Sequence, residues 1–121
     1  MEPKKIIIIE DEMIHGLYLK SSIEHNGYRV IDIVPRGEEA LDKAVTLKPD
    51  LIITDILLKD SMTGIEVIEK IIQQISIPFI YITALTDNKT IEKAELTRPF
   101  AIIYKPYEMK NLIETIHKAL D

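Results

Sequence analysis

Short apolar runs recur along the chain, and each stops at a polar residue. Residues 6–9 are four isoleucines ahead of Glu10-Asp11, 51–53 run into Thr54-Asp55, 79–82 end at Thr83, and 101–104 lead into Lys105-Pro106. Continuous apolar runs of this length, bounded by turn signals, read as strands buried on both faces, the kind that parallel sheets use. The segments between them carry apolar positions three and four apart, which read as helices packed by one face. The pattern predicts strands over 4–10, 28–34, 51–55, 79–83 and 101–104, and helices over 13–26, 37–47, 65–75, 87–96 and 108–120. Ile14, Leu17 and Ile23 fall on one side of the first helix, and Gly27 ends it. Ala40, Leu41 and Ala44 share a face of the second helix, ended by Lys48-Pro49. Ile65, Ile68, Ile71, Ile72 and Ile75 form a stripe on the third, read as core.

Five alternating β-α units predict a doubly wound α/β fold: a five-stranded parallel sheet of order 2-1-3-4-5, with helices on both faces, flavodoxin-like. Parallel strands bring their carboxyl ends to one edge, where open α/β sheets bind ligands. Glu10 and Asp11 would then crowd Asp55, because the first and third strands are neighbours. Three carboxylates so placed repel unless a proton or a divalent cation intervenes, and an all-oxygen set favours Mg2+.

Composition narrows the classes further. A chain of 121 residues fits one domain, spanning 1–121. The absence of cysteine excludes disulfides and thiolate metal sites, and is consistent with a reducing compartment, so the cytoplasm is expected. Fifteen Lys and Arg are scattered among twenty acids for a net charge of -5, which argues against direct nucleic-acid binding. No apolar stretch is long enough to span a bilayer, and the start does not read as a signal peptide.

Several separated motifs agree on one family. They are Ile-Glu-Asp-Glu at 9–12, Pro-Asp-Leu at 49–51, Thr-Asp-Ile-Leu-Leu at 54–58, Met-Thr-Gly-Ile-Glu at 62–66, Thr83-Ala84, and Tyr-Lys-Pro-Tyr at 104–107. From residue 4 to residue 120 the chain resembles the CheY-like receiver domain of two-component response regulators. The resemblance implies that Asp55 is the phosphoacceptor, attacking a phosphohistidine of a sensor histidine kinase or histidine phosphotransfer protein. It implies Mg2+ held by Asp11, Asp55 and the backbone carbonyl of Leu57, with Glu10 acting through water. Lys105 would supply fixed positive charge, Thr83 a hydroxyl and Ala84 a backbone N–H to the phosphoryl oxygens. The Lys105-Pro106 bond is expected to be cis. The chain would accept and slowly lose phosphate rather than turn over substrate.

The chain also departs from the family pattern. The loop 58–64 is one residue longer than usual. The aromatic position of the usual switch holds Ile102, with the ring displaced to Tyr104, so Tyr104 is not expected to be the signalling rotor. Leu57 and Leu85 would flank the path of hydrolytic water. His15, His25 and His117 share no ligand spacing and read as surface or helix residues, with His15 near a kinase-docking face. A chain that is complete at Asp121 would signal by binding a downstream protein through the face of the fourth helix, fifth strand and fifth helix, as a monomer or a phosphorylation-dependent dimer. The alternatives are a receiver excised from a larger regulator with a DNA-binding or other output domain, or a phosphorylation-independent binding module. A turnover phosphohydrolase ranks lower, since Leu57 stands where such enzymes place a second acid.

Overall fold

The computed structural model describes residues 2–59 and 62–121. The elements run β1 (Lys5–Ile9), α1 (Met13–His25), β2 (Arg29–Val34), α2 (Gly37–Leu47), β3 (Leu51–Asp55), α3 (Gly64–Ile72), β4 (Phe79–Thr83), α4 (Asn88–Leu96), β5 (Ala101–Tyr104) and α5 (Met109–Leu120). The strands form one five-stranded sheet of order β2-β1-β3-β4-β5, and every adjacent pair is parallel. The expected doubly wound α/β architecture is therefore the observed one.

Alternation along the strands divides the core between the two faces. Ile7, Ile9, Ile52 and Tyr81 pack with Ala40, Ala44, Ile68, Ile71 and Ala94 of α2, α3 and α4. Ile6, Ile8, Ile53 and Ile82 pack with Leu19, Ile23, Leu112 and Ile116 of α1 and α5. Burying each such isoleucine is worth roughly 1.5–3 kcal/mol, so the unbroken isoleucine run of β1 stabilises both layers at once.

Two helix readings need correction. The buried residues of α1 are Gly16, Leu19 and Ile23, whereas Ile14 and Leu17 face outward, Ile14 at 86% exposure. Apolar residues lie on both sides of this helix, so spacing alone did not identify its inner face. The third helix closes at Ile72 rather than reaching Ile75. Ile72 is 38% exposed, while Ile75, past the end, still packs against the core.

The start of α3 is held by sequence-local chemistry. Thr63 Oγ1 accepts the Glu66 N–H at 3.2 Å, and the Glu66 carboxylate accepts the Thr63 N–H at 3.0 Å, a reciprocal capping box. Gly64 lies so close to the end of β3 that a Cβ there would stand 2.1 Å from the Asp55 carbonyl oxygen. The Gly64 N–H donates to the Ile56 carbonyl at 2.8 Å, which pins the loop's return beside the strand end. Asp60 and Ser61, within the lengthened loop, lie outside the described residues.

Candidate functional site

The C-terminal ends of β1, β3, β4 and β5 meet at one edge of the sheet, as strand order requires. A hollow of about 150 Å³ opens there, lined by Asp11, Glu12, Asp55, Leu57, Lys59, Ala84, Leu85 and Lys105. The sequence reading singles out Asp11, Asp55, Leu57, Ala84 and Lys105, and four separate segments bring them to one wall. Glu10 and Thr83 are buried beside it, at 2% and 0% exposure.

Asp55, 8% exposed, ends β3. Its Oδ1 accepts the Leu57 N–H at 3.2 Å, and its Oδ2 accepts the Lys105 ammonium at 2.8 Å. Lys105 follows β5, and the Lys105–Pro106 bond is cis, as expected from the resemblance. Burial pulls the ammonium's pKa down, but the hydrogen bond and charge of Asp55, helped by Glu10 and Glu12, outweigh it, and the net shift is upward. Lys105 therefore stays charged.

Glu10 is held by the Glu12 N–H at 3.0 Å and by His15. Burial pushes its pKa up, and the Asp55 carboxylate adds to that, while the hydrogen bonds to Glu12 and His15 oppose it. Asp11 turns its carboxylate to the Lys59 N–H. Thr83 Oγ1 accepts the Leu85 N–H at 2.9 Å, so its hydroxyl oxygen is engaged by the backbone rather than aimed into the hollow. Tyr104 pairs in register with Thr83 and is 43% exposed, whereas Ile102 packs into the core.

His15 lies in α1, one of the two places the sequence reading allows, and is tied into the site rather than left on the surface. Its Nδ1 contacts Glu10 Oε1, and its Nε2 lies 2.8 Å from Tyr107 Oη. One ligand atom each from Glu10, His15 and Asp55 lies within 4.8 Å of the others. Burial, with smaller contributions from Tyr18, Glu10 and Asp55, pushes the Tyr107 phenol up to about 12. Neither His15 nor Tyr107 ends a strand, and they stand 92 positions apart, so no spacing rule joined them. The available signal was topological, since the β1–α1 and β5–α5 turns must meet over the same edge.

A larger hollow of about 600 Å³ lies to one side, between α3 and α4, lined by Ile56, Thr63, Glu66, Lys93 and Leu96 among others. It shares Leu57 and Leu85 with the smaller one but lacks Asp11, Asp55 and Lys105, so the polar residues at the strand ends belong to the smaller site. The donor set there suits a hard divalent cation: anionic oxygens at one strand edge, with the Lys105 ammonium on Asp55 to limit their repulsion. Among the described residues no helix is long and apolar enough to cross a membrane.

Comparison with known proteins agrees with this architecture. The response regulator receiver domain family matches residues 6–117. The response regulator ArlR of Staphylococcus aureus is 37% identical over 118 residues, covering 96% of this chain and 52% of that protein. The transcriptional regulatory protein PdtaR of Mycobacterium tuberculosis is 28% identical, covering 98% and 57%. The chain thus spans about half the length of these curated relatives. Among solved structures, the signal receiver domain of a modulated diguanylate cyclase from Desulfovibrio desulfuricans superposes with a TM-score of 0.90 at 30% identity, covering 98% of this chain and 94% of that one. A CheY-like receiver domain protein from Methanospirillum hungatei gives 0.90 at 28% identity, with the same coverage. With its strand order, its acidic edge and a family match across nearly its whole length, this chain belongs to the response regulator receiver domains of two-component signalling.

Proposed function

We propose that Asp55 accepts a phosphoryl group from a phosphohistidine of a sensor histidine kinase or histidine phosphotransfer protein. One observation carries the reading: Asp55 is a nearly buried carboxylate whose two oxygens are held by the Leu57 N–H and the Lys105 ammonium, beside a second buried acid. That arrangement orients an oxygen nucleophile at the mouth of a hollow and places fixed positive charge next to it. A carboxylate oxygen of Asp55 forms the new P–O bond as the P–N bond of the donor breaks, and the histidine leaves with the electron pair and takes up a proton. The product is an acyl phosphate on this chain, so the protein is a stoichiometric acceptor and not a turnover enzyme.

Mg2+ is the cofactor of this reading, held by Asp11, Asp55 and the Leu57 carbonyl, with Glu10 acting through water. When bound, it neutralises charge between the carboxylates and the phosphoryl oxygens. Lys105 contributes fixed positive charge at Asp55 Oδ2. Thr83 releases the Leu85 N–H and donates its hydroxyl to a phosphoryl oxygen, and the Ala84 N–H does likewise from the wall of the hollow.

The output surface is the face of α4, β5 and α5, where Leu96 and Tyr104 are exposed at 82% and 43%. Phosphorylation alters that face for a downstream protein or a second copy of the chain, in the cytoplasm. Because the chain spans half of its relatives, a covalently linked output domain is a second reading on equal footing. The test is intact mass after incubation with acetyl phosphate and Mg2+. One phosphoryl group gained by the wild type and none by Asp55→Asn supports the reading, and an unmodified wild type favours a phosphorylation-independent module.

A further inference from the structure

The side chain in contact with Glu10 is an imidazole. His15 Nδ1 meets Glu10 Oε1, and one ligand atom each from Glu10, His15 and Asp55 lies within 4.8 Å of the other two. We propose that His15 is a nitrogen ligand of the cation site beside Asp55, and that the ion held most tightly there is a first-row transition-metal dication, exemplified by Mn2+, rather than Mg2+. The inference rests on the reading that a cation sits beside Asp55, adds a ligand and a metal class to it, and makes Glu10 a direct ligand in place of its contact through water.

Three features support the assignment. The span of 4.8 Å is about twice the bond of roughly 2 Å that a small divalent ion makes to nitrogen or oxygen, so one ion can be shared by the three side chains. Nδ1 and Oε1 already face each other, and a cation would replace the hydrogen that now joins them. The other ring nitrogen has the outer partner that metal-bound histidines use: with Nδ1 on the ion, Nε2–H donates to Tyr107 Oη, 2.8 Å away.

The metal class follows from the nitrogen. Mg2+ demands oxygen ligands in near-ideal octahedral geometry and gains little from an imidazole. First-row transition dications bind imidazole well, and their affinity for a mixed nitrogen and oxygen site rises along the series from Mn2+. An edge built from Glu10, Asp11 and Asp55 alone would be an all-oxygen site, and His15 changes that.

The test uses the full chain with Mn2+ alone and Mg2+ alone, titrated calorimetrically into wild type, His15→Gln and Tyr107→Phe. Pulsed electron paramagnetic resonance of the Mn2+ complex follows, on protein carrying 15N-histidine. The expected result is a directly bound imidazole nitrogen in wild type, absent in His15→Gln. Mn2+ affinity should fall about tenfold or more in that variant while Mg2+ affinity stays within about twofold. Tyr107→Phe should keep the nitrogen coupling and weaken Mn2+ by about tenfold. If His15→Gln does not fold, the coupling in wild type and Tyr107→Phe decides. Absence of an imidazole coupling, equal loss of Mg2+ and Mn2+, or no Mn2+ binding overturns the assignment. None of these readouts requires phosphorylation, so failure of Asp55 to accept phosphate is detected separately by mass.

Discussion

Lys105 reaches from the end of β5 to Asp55 at the end of β3, its Nζ 2.8 Å from Oδ2. This contact crosses the intervening strand β4 and supplies the cation nearest the Asp55 carboxylate. Lys105→Ala leaves Glu10 and Asp55, 2% and 8% exposed, without that ammonium. Loss of about 1–3 kcal/mol of stability is expected, since truncating one partner strands the other. Urea unfolding measures it, and added divalent cation should recover part of the loss. An unchanged midpoint with or without cation would mean that the contact contributes nothing.

The buried Glu10 carboxyl implies a pH dependence of stability. Its folded-state pKa lies above the ordinary 4.5, chiefly through burial. The folded protein therefore holds this proton more tightly than the unfolded chain. Its contribution is fully present below pH 4.5 and is lost as pH rises through the folded-state value. In cation-free buffer, wild type should lose stability over that window relative to Glu10→Gln. Parallel stability curves for the two proteins would contradict the shift.

Gly64 is where the site and the fold constrain each other. A Cβ at 2.1 Å from the Asp55 carbonyl oxygen forces the loop or the strand end to move. Gly64→Ala should destabilise by about 2 kcal/mol or more and slow phosphoryl uptake as well. Thr63→Ala, which removes only the cap of α3, should cost about 1 kcal/mol and leave the uptake rate unchanged. Equal effects of the two variants on uptake would show that the close approach does not position Asp55.

How much of this was legible in the chain differs by element. β1, β3 and β4 were readable because a strand buried on both faces has no polar alternation to obscure it, and the residues at their ends follow from topology. The inner face of α1 was not, because Gly16 packs against Ile33 and Glu10 with no side chain of its own to mark the contact, while the larger Ile14 and Leu17 point outward. Asp55 and Lys105 were found because strand ends converge, and Ala84 because the family resemblance implies it. His15 and Tyr107 were missed because their meeting depends on how two turns lie over the sheet edge, which residue spacing does not encode.

Leu57, 59% exposed at the rim of the hollow, and Leu85 present apolar surface where hydrolytic water would approach. Phosphate loss should be slow in wild type and several-fold faster in Leu57→Asn, whose amide can hold a water near the phosphorus. A decay rate that no Leu57 variant changes would remove the residue from the account.

Tyr104 stands half exposed opposite Thr83, while the usual switch position holds Ile102. Tyr104→Ala should leave discrimination between the phosphorylated and unphosphorylated forms intact, as measured by binding to a downstream partner. Lost discrimination with normal phosphorylation would reverse that assignment.

The central claim is that Asp55 carries the phosphoryl group as an acyl phosphate. Borohydride reduction of the protein after treatment with acetyl phosphate and Mg2+, followed by peptide mass mapping, reads it directly. The expected result is conversion of Asp55 to homoserine, dependent on the phosphodonor and absent without it. A phosphorylated chain with no reducible bond at Asp55 would place the phosphoryl group elsewhere and contradict the account.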